Sequence, residues 1–147
     1  MTDIIKFFVP GKPISRKAPS FGKGRAYHDD SSREVGWHDR VHAAALQARA
    51  EQGKIEGPVM VMVVFIFPAP RRVKVAYPGE PGAEIKIVRP GGLGTFFPSG
   101  DSTYAHTNRP DVDNLLKLVV DAIQNVVIDD DKMIWIKTGI KVWGRKG

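Results

Sequence analysis

Val59 to Phe67 runs Val-Met-Val-Met-Val-Val-Phe-Ile-Phe, apolar without a break, opened by Gly57-Pro58 and closed by Pro68. Nothing else in the chain restricts its fold so sharply. The ten residues Val59 to Pro68 are too few to cross a bilayer as a helix. Their β-branched and aromatic content, bounded by turn residues, predicts a strand. A strand with no polar alternation has no face to give to water, so it must be covered on both sides.

The rest of the chain supplies candidates for that cover. Ile4 to Val9 reads as a first strand, closed by Pro10-Gly11. Lys12 to Asp30 reads as a basic loop containing Gly, Ser and Pro. Ser31-Ser32-Arg33-Glu34 then has capping-box spacing, a serine with a glutamate three residues on. Behind it Trp37, Val41, Ala44, Ala45 and Ala48 recur at helical spacing, and Gly53 is the stop. A second amphipathic helix is predicted from Leu115 to about Val126, with its stripe on Leu116, Val119, Val120 and Ile123. Ile134 to Trp143 alternates around Gly139 as a final strand.

The stretch from Pro68 to Asn108 is less regular, with six prolines and six glycines. It leaves room for one short strand at Ala83 to Arg89 and is otherwise a working loop or a disordered one. The order strand, helix, strand, long loop, helix, strand predicts an α+β fold, a small mixed β-sheet with two main helices on one side. No internal repeat or domain boundary is visible, so residues 1–147 are expected to form one domain.

The absence of cysteine removes disulfides, thiolate metal sites and cysteine nucleophiles. Met1-Thr-Asp-Ile-Ile-Lys has no basic segment leading into an apolar one, so no signal peptide is read. A cytoplasmic protein with no membrane partner is expected. A net charge of +6 invites a polyanion, and its distribution sharpens the point. Lys6, Lys12, Arg16, Lys17, Lys23 and Arg25 face only Asp3 near the start, and Lys137, Lys141, Arg145 and Lys146 face no acid near the end. Between Pro110 and Asp131 the balance reverses, with six aspartates against Lys117. Basic ends around an acidic centre suit a protein that grips phosphates and bridges one of them through a metal. Lys12, Arg16, Lys17, Lys23, Arg25, Arg71, Arg72 and Arg109 are the candidate DNA contacts.

Asp111 and Asp113 sit at the entry to the second helix, Asp111 at the junction and Asp113 in the first turn, where both carboxylates can converge. Aspartate is also a favoured N-cap, and this segment alone is as well explained by helix initiation. Lys117 lies four residues after Asp113 on the same helical face, and Asp121 four further on. Asp129-Asp130-Asp131 then adds three adjacent acids with no cation until Lys132. Carboxylates so gathered repel unless they are well solvated or share a cation. Hard divalent ions such as Mg²⁺ take oxygen ligands of this kind. His38 and His42 have ligand spacing but the neighbours of an ordinary helix surface, and the acid run lacks the pattern of a calcium loop.

The sequence Arg109-Pro110-Asp111-Val112-Asp113-Asn114-Leu115-Leu116-Lys117, followed by Asp121-Ala122-Ile123 and Val126-Val127-Ile128-Asp129-Asp130-Asp131, resembles the RusA-type Holliday junction resolvases. The resemblance is specific from Arg109 to about Ile136, with a compatible start at Phe8-Val9-Pro10-Gly11-Lys12-Pro13. It implies an Mg²⁺-dependent endodeoxyribonuclease, with Mn²⁺ able to substitute, that acts on four-way DNA junctions as a homodimer. It also implies that Asp111, Asp113 and a third aspartate bind metal and that Lys117 is essential to cleavage. A gapless continuation from Asp121 matches the family's acid pair to Asp130 and Asp131, making Asp131 the third ligand. A one-residue gap selects Asp129 and Asp130 instead. The Pro68 to Asn108 stretch is longer than the corresponding family loop, which leaves other branched or flapped DNA as substrates, and a DNA-binding module without cleavage as the rival reading.

Overall fold

The computed structural model describes residues 3–16, 20–22, 25–27, 32–73, 76–89 and 105–145. Its elements are β1 (Ile4–Pro10), β2 (Ser20–Gly22), β3 (Arg25–Tyr27), α1 (Ser32–Gln52), β4 (Val59–Pro68), β5 (Gly82–Val88), α2 (Val112–Ile123) and β6 (Ile134–Gly144). One sheet has the order β1-β5-β4-β6. In it β5 lies antiparallel to both β1 and β4, and β6 lies parallel to β4. This is the α+β architecture with a mixed sheet that the pattern of the chain predicts.

β4 is interior, and only its closing Pro68 escapes full burial. Val59, Val61, Val63, Phe65 and Phe67 join the large core shared with both helices. Met60, Met62, Val64 and Ile66 point to the opposite face, where Val88, Tyr77 and Val142 pack against them. The missing polar alternation is thus explained by cover on both sides. A fully buried side chain of this size contributes about 1.5–3 kcal/mol, so β4 anchors the domain.

The short strand expected at Ala83 to Arg89 forms at Gly82–Val88 and has a larger part than the sequence suggests. Paired on both edges, β5 is the only link between β1 and β4 in this sheet. Ala83, Ile85 and Ile87 turn into the helix-side core, while Glu84 and Lys86 remain half-buried on the other face. Residues 68–108 are therefore not one uninterrupted loop; the part at 90–104 lies outside the described residues. A second difference lies in the basic loop. β2 and β3 pair there as a small antiparallel ribbon too short to show in the hydrophobic pattern.

α1 buries Trp37, Val41, Ala45 and Ala48, the predicted stripe, and closes at Gly53. Gly53 has φ +93 and its N–H donates to the Arg49 carbonyl at 2.9 Å, a helix stop that favours glycine. The proposed cap, Ser31, lies outside the described residues. Its partner Glu34 is buried and meets Arg16 Nε at 3.8 Å.

α2 begins at Val112, three residues before the predicted start, because its first turn is polar and carries no part of the stripe. Leu115, Leu118, Val119, Ala122 and Ile123 pack into the core beneath α1. The entry of α2 sits directly over Gly139 of β6. A Cβ at that glycine would stand 2.7 Å from Val112 Cγ1 and 2.9 Å from Leu116 Cδ1. A side chain at this position would have to displace Val112 or Leu116, through which the helix meets the strand. Among the described residues no helix is long and apolar enough to cross a membrane.

Candidate active site

Asp111 has the extended backbone of an N-cap, φ −72 and ψ 143, yet its side chain makes no capping hydrogen bond. Its carbonyl accepts from Leu115 N–H at 3.2 Å, so the backbone starts the helix and leaves the carboxylate outside that task. The capping explanation for this acid fails. Asp113, in the first turn, pairs with Lys117 Nζ at 3.3 Å across one helical turn, both side chains largely exposed. An exposed pair of this kind stabilises a helix by only about 0.3–0.5 kcal/mol and yields readily to a better ligand.

The segment leading into Asp111 is pinned from β6. Ala105 bridges to Val142, and His106 N–H donates to the Lys141 carbonyl at 3.1 Å. The His106 ring stacks on Trp143, centroids 3.8 Å apart, and meets Phe67 edge-on at 4.7 Å. Its Nδ1 accepts from Asn108 N–H at 3.1 Å, which requires the neutral ring. Burial first, then the charges of Lys141, Arg72 and Lys12, lower its pKa to about 4, so the ring stays neutral near pH 7. Lys141 completes the clamp. Its ammonium donates to the carbonyls of Asn108 and Pro110 at 2.5 and 2.7 Å. Burial lowers the basicity of this lysine, while the charge of Asp111 opposes that shift.

Neither His106 nor Lys141 stands out by motif. The available signal was parity. Ile140 and Val142 define one face of β6, so Lys141 had to point to the face that carries Phe65 in the pairing register. Lys141→Met is expected to speed amide exchange at Asn108 and Leu115 by about tenfold to a hundredfold, the effect of losing charge-assisted hydrogen bonds worth about 1.5–3 kcal/mol. Hydrogen exchange read by NMR measures this directly, and exchange at the parental rate would remove Lys141 from the clamp.

The acid run at the other end of α2 divides its tasks. Asp129 is held by Lys54, Nζ to Oδ1 2.5 Å, and accepts from Gly57 N–H at 3.5 Å. The Lys54 hydrogen bond is the main cause of its lowered pKa. Asp130 caps the short 3-10 turn Asp131–Met133 by accepting from Lys132 N–H at 3.2 Å. It also hydrogen-bonds the Asp131 carboxyl, which lowers the pKa of Asp130 and raises that of Asp131. Asp131 is exposed, and the negative charge of Asp121 adds to its raised pKa.

These two acidic ends do not meet within one chain. α2 is 12 residues long, roughly 18 Å, and runs from above Gly139 back toward the start of β6. Asp131 lies at that start, beyond Ile134, itself five residues or roughly 16 Å along the strand from Gly139. Among the described residues no three His, Asp or Glu side chains stand close enough to hold a metal ion. The donors at both ends of α2 are hard carboxylate oxygens, the chemistry Mg²⁺ or Mn²⁺ prefers.

The candidate DNA contacts separate in the same way. Lys12 and Arg72 stand near enough to His106 to affect its titration, on the Asp111 flank. Arg71 and Arg109 are exposed. Arg16 is instead engaged within the chain. Its guanidinium pairs with Asp121 and Glu34, and its backbone N–H donates to the Asn114 carbonyl at 3.2 Å, tying the basic loop to α2. Lys17, Lys23 and the side chain of Arg25 lie outside the described residues.

A sequence model of the family described as endodeoxyribonuclease RusA matches residues 10–147, nearly the whole chain. The chain belongs to the RusA endodeoxyribonuclease family. A relative, the uncharacterized protein YqaN of Bacillus subtilis (strain 168), is 30% identical over 134 residues, which span 90% of this chain and 82% of that protein. RusA membership indicates a nuclease for branched DNA.

Proposed function

We propose that this protein is a divalent-metal-dependent endodeoxyribonuclease that nicks branched DNA, four-way Holliday junctions in preference, and that it acts as a homodimer. The observation that carries the reading is the entry of α2. Asp111 presents a carboxylate not consumed by capping, and Asp113 stands one turn from the Lys117 ammonium, in a chain of the RusA family. Asp111, Asp113 and Asp131 would hold Mg²⁺ or Mn²⁺, which when bound supplies an activated water and offsets phosphate charge. Within the acid run, Asp131 is the better third ligand, because Lys54 occupies Asp129 and the 3-10 turn occupies Asp130. Asp130 then stands beside it as a second oxygen donor.

Lys117 stabilises negative charge developing on the scissile phosphate, an effect amplified where water is excluded. Lys141 and His106 keep the Asp111 segment in one geometry, so that little reorganisation is needed when DNA arrives. Lys12, Arg71, Arg72 and Arg109 contribute counter-charge for the DNA backbone.

The separation of the two acidic ends favours a site shared between copies, Asp111 and Asp113 from one chain and Asp131 from a second. Mixing separately inactive Asp113→Asn and Asp131→Asn proteins tests this. If sites are shared, the mixed dimer regains one complete site, nicking of a synthetic junction returns in Mg²⁺, and about one Mn²⁺ binds per mixed dimer. Two inactive parents whose mixture stays inactive would place each site within a single chain. Parents that both nick at the normal rate would overturn the acid assignment itself. Preferential cutting of flaps would instead favour another branched substrate for the same chemistry.

A further inference from the structure

A basic cavity lies on the flank of the catalytic candidate without sharing its acids. It holds about 310 Å³ between the turn after β1 and the first turns of α1, and is lined by Lys12, Ile14, Ser32, Arg33, Gly36, Trp37 and Arg40. Lys12, Arg33 and Arg40 supply three positive charges, and among the described residues none of them has an ion-pair partner. Arg33, Gly36, Trp37 and Arg40 recur at three and four, so one face of α1 presents them all. Gly11, at φ +109, makes room for one of these charges, because a Cβ there would collide with the Arg40 guanidinium. The opening lies at the N-terminus of a 21-residue helix, where unpaired amides and the helix dipole favour an anion.

Trp37 forms an apolar wall of the cavity and is 3% exposed. Three cations without ion-pair partners among the described residues, gathered at a helix N-terminus, make this wall a place for an anion.

We propose that this cavity binds a DNA backbone phosphate other than the one that is cut, with Lys12, Arg33 and Arg40 supplying the charge that holds it. This rests on the reading of the protein as a nuclease for branched DNA. Lys12 lines the cavity and also acts electrostatically on His106, five residues before Asp111, which puts the cavity and the cleavage motif on one flank. A strand seated there is held at a second phosphate, and the junction is positioned before cutting.

The test measures junction binding by fluorescence anisotropy in EDTA over a range of salt, with the full chain. Arg33→Gln/Arg40→Gln is expected to bind more weakly and to lower the slope of log affinity against log salt by about 0.9, the loss of one phosphate contact. In NMR, inorganic phosphate should shift the Trp37 indole signal, a reporter in the cavity wall, and the double variant should abolish that response. A parental slope in the double variant overturns the proposal. A phosphate response accompanied by a parental slope shows a small-anion site and overturns the DNA assignment. Failure of the parent protein to bind any branched DNA would instead refute the nuclease reading, a distinguishable result.

Discussion

Asp113→Asn is expected to lower junction nicking by about a hundredfold to a thousandfold while junction binding in EDTA is retained, the usual scale for removing one electrostatic element of a phosphoryl-transfer site. Its physical basis is the exposure of Asp113. The carboxylate is 69% accessible and makes only a surface ion pair with Lys117, so its replacement by an isosteric amide removes charge without disturbing the core. Lys117→Ala should show the same pattern of retained binding and lost turnover. Because both act on one phosphate, the double variant should lose far less than the product of the single losses. Single-turnover nicking of a labelled four-way junction gives all three rates. If Lys117→Ala nicks at the parental rate, lysine has no part in the reaction, and the ion pair is only a helix-surface contact.

A larger structural effect is expected at Gly139. Replacing it with Leu drives a side chain into the place occupied by Val112 and Leu116, the residues through which α2 rests on β6. Overpacking of this kind costs about 1–3 kcal/mol. Taking about 3 kcal/mol for so large a side chain, the melting temperature should fall by roughly 6–12 °C. The shift should come with weaker nicking, because the displaced turn is the one that carries Asp113. Combining Gly139→Leu with Leu116→Ala should recover part of the stability, since the two changes share one volume. Thermal unfolding by circular dichroism reads the effect. A melting temperature within a degree of the parent would show that the helix adjusts without cost and that close approach at Gly139 is not required.

Much of the fold was legible because burial leaves a period in the sequence. The unbroken apolar run of β4 and the stripe Trp37, Val41, Ala45 and Ala48 each reported which faces are covered, whereas the alternation of β6 revealed a strand but not its cover, since Ile136 is exposed. β5 was harder to weigh, since seven residues identify a strand but not its neighbours. Its place between β1 and β4 depends on pairings with residues far away in the chain. The start of α2 was hidden because a polar first turn carries no stripe.

The site divides along the same line. Sequence alone determined the chemistry available: two acids at a helix entry, a lysine one turn later, a second acid run and an excess of positive charge, because residue type and local spacing decide what a short segment can bind. Tertiary structure decided how each group is used. It released Asp111 from capping, assigned Lys54 to Asp129, turned Arg16 inward to Asp121 and Glu34, and brought Lys141 and His106 to the Asp111 segment. It also set the two acidic ends apart, because α2 spans the distance between them as a rigid rod. Those relations join residues as many as 105 positions apart, and they are set by packing against the sheet, which local sequence does not encode.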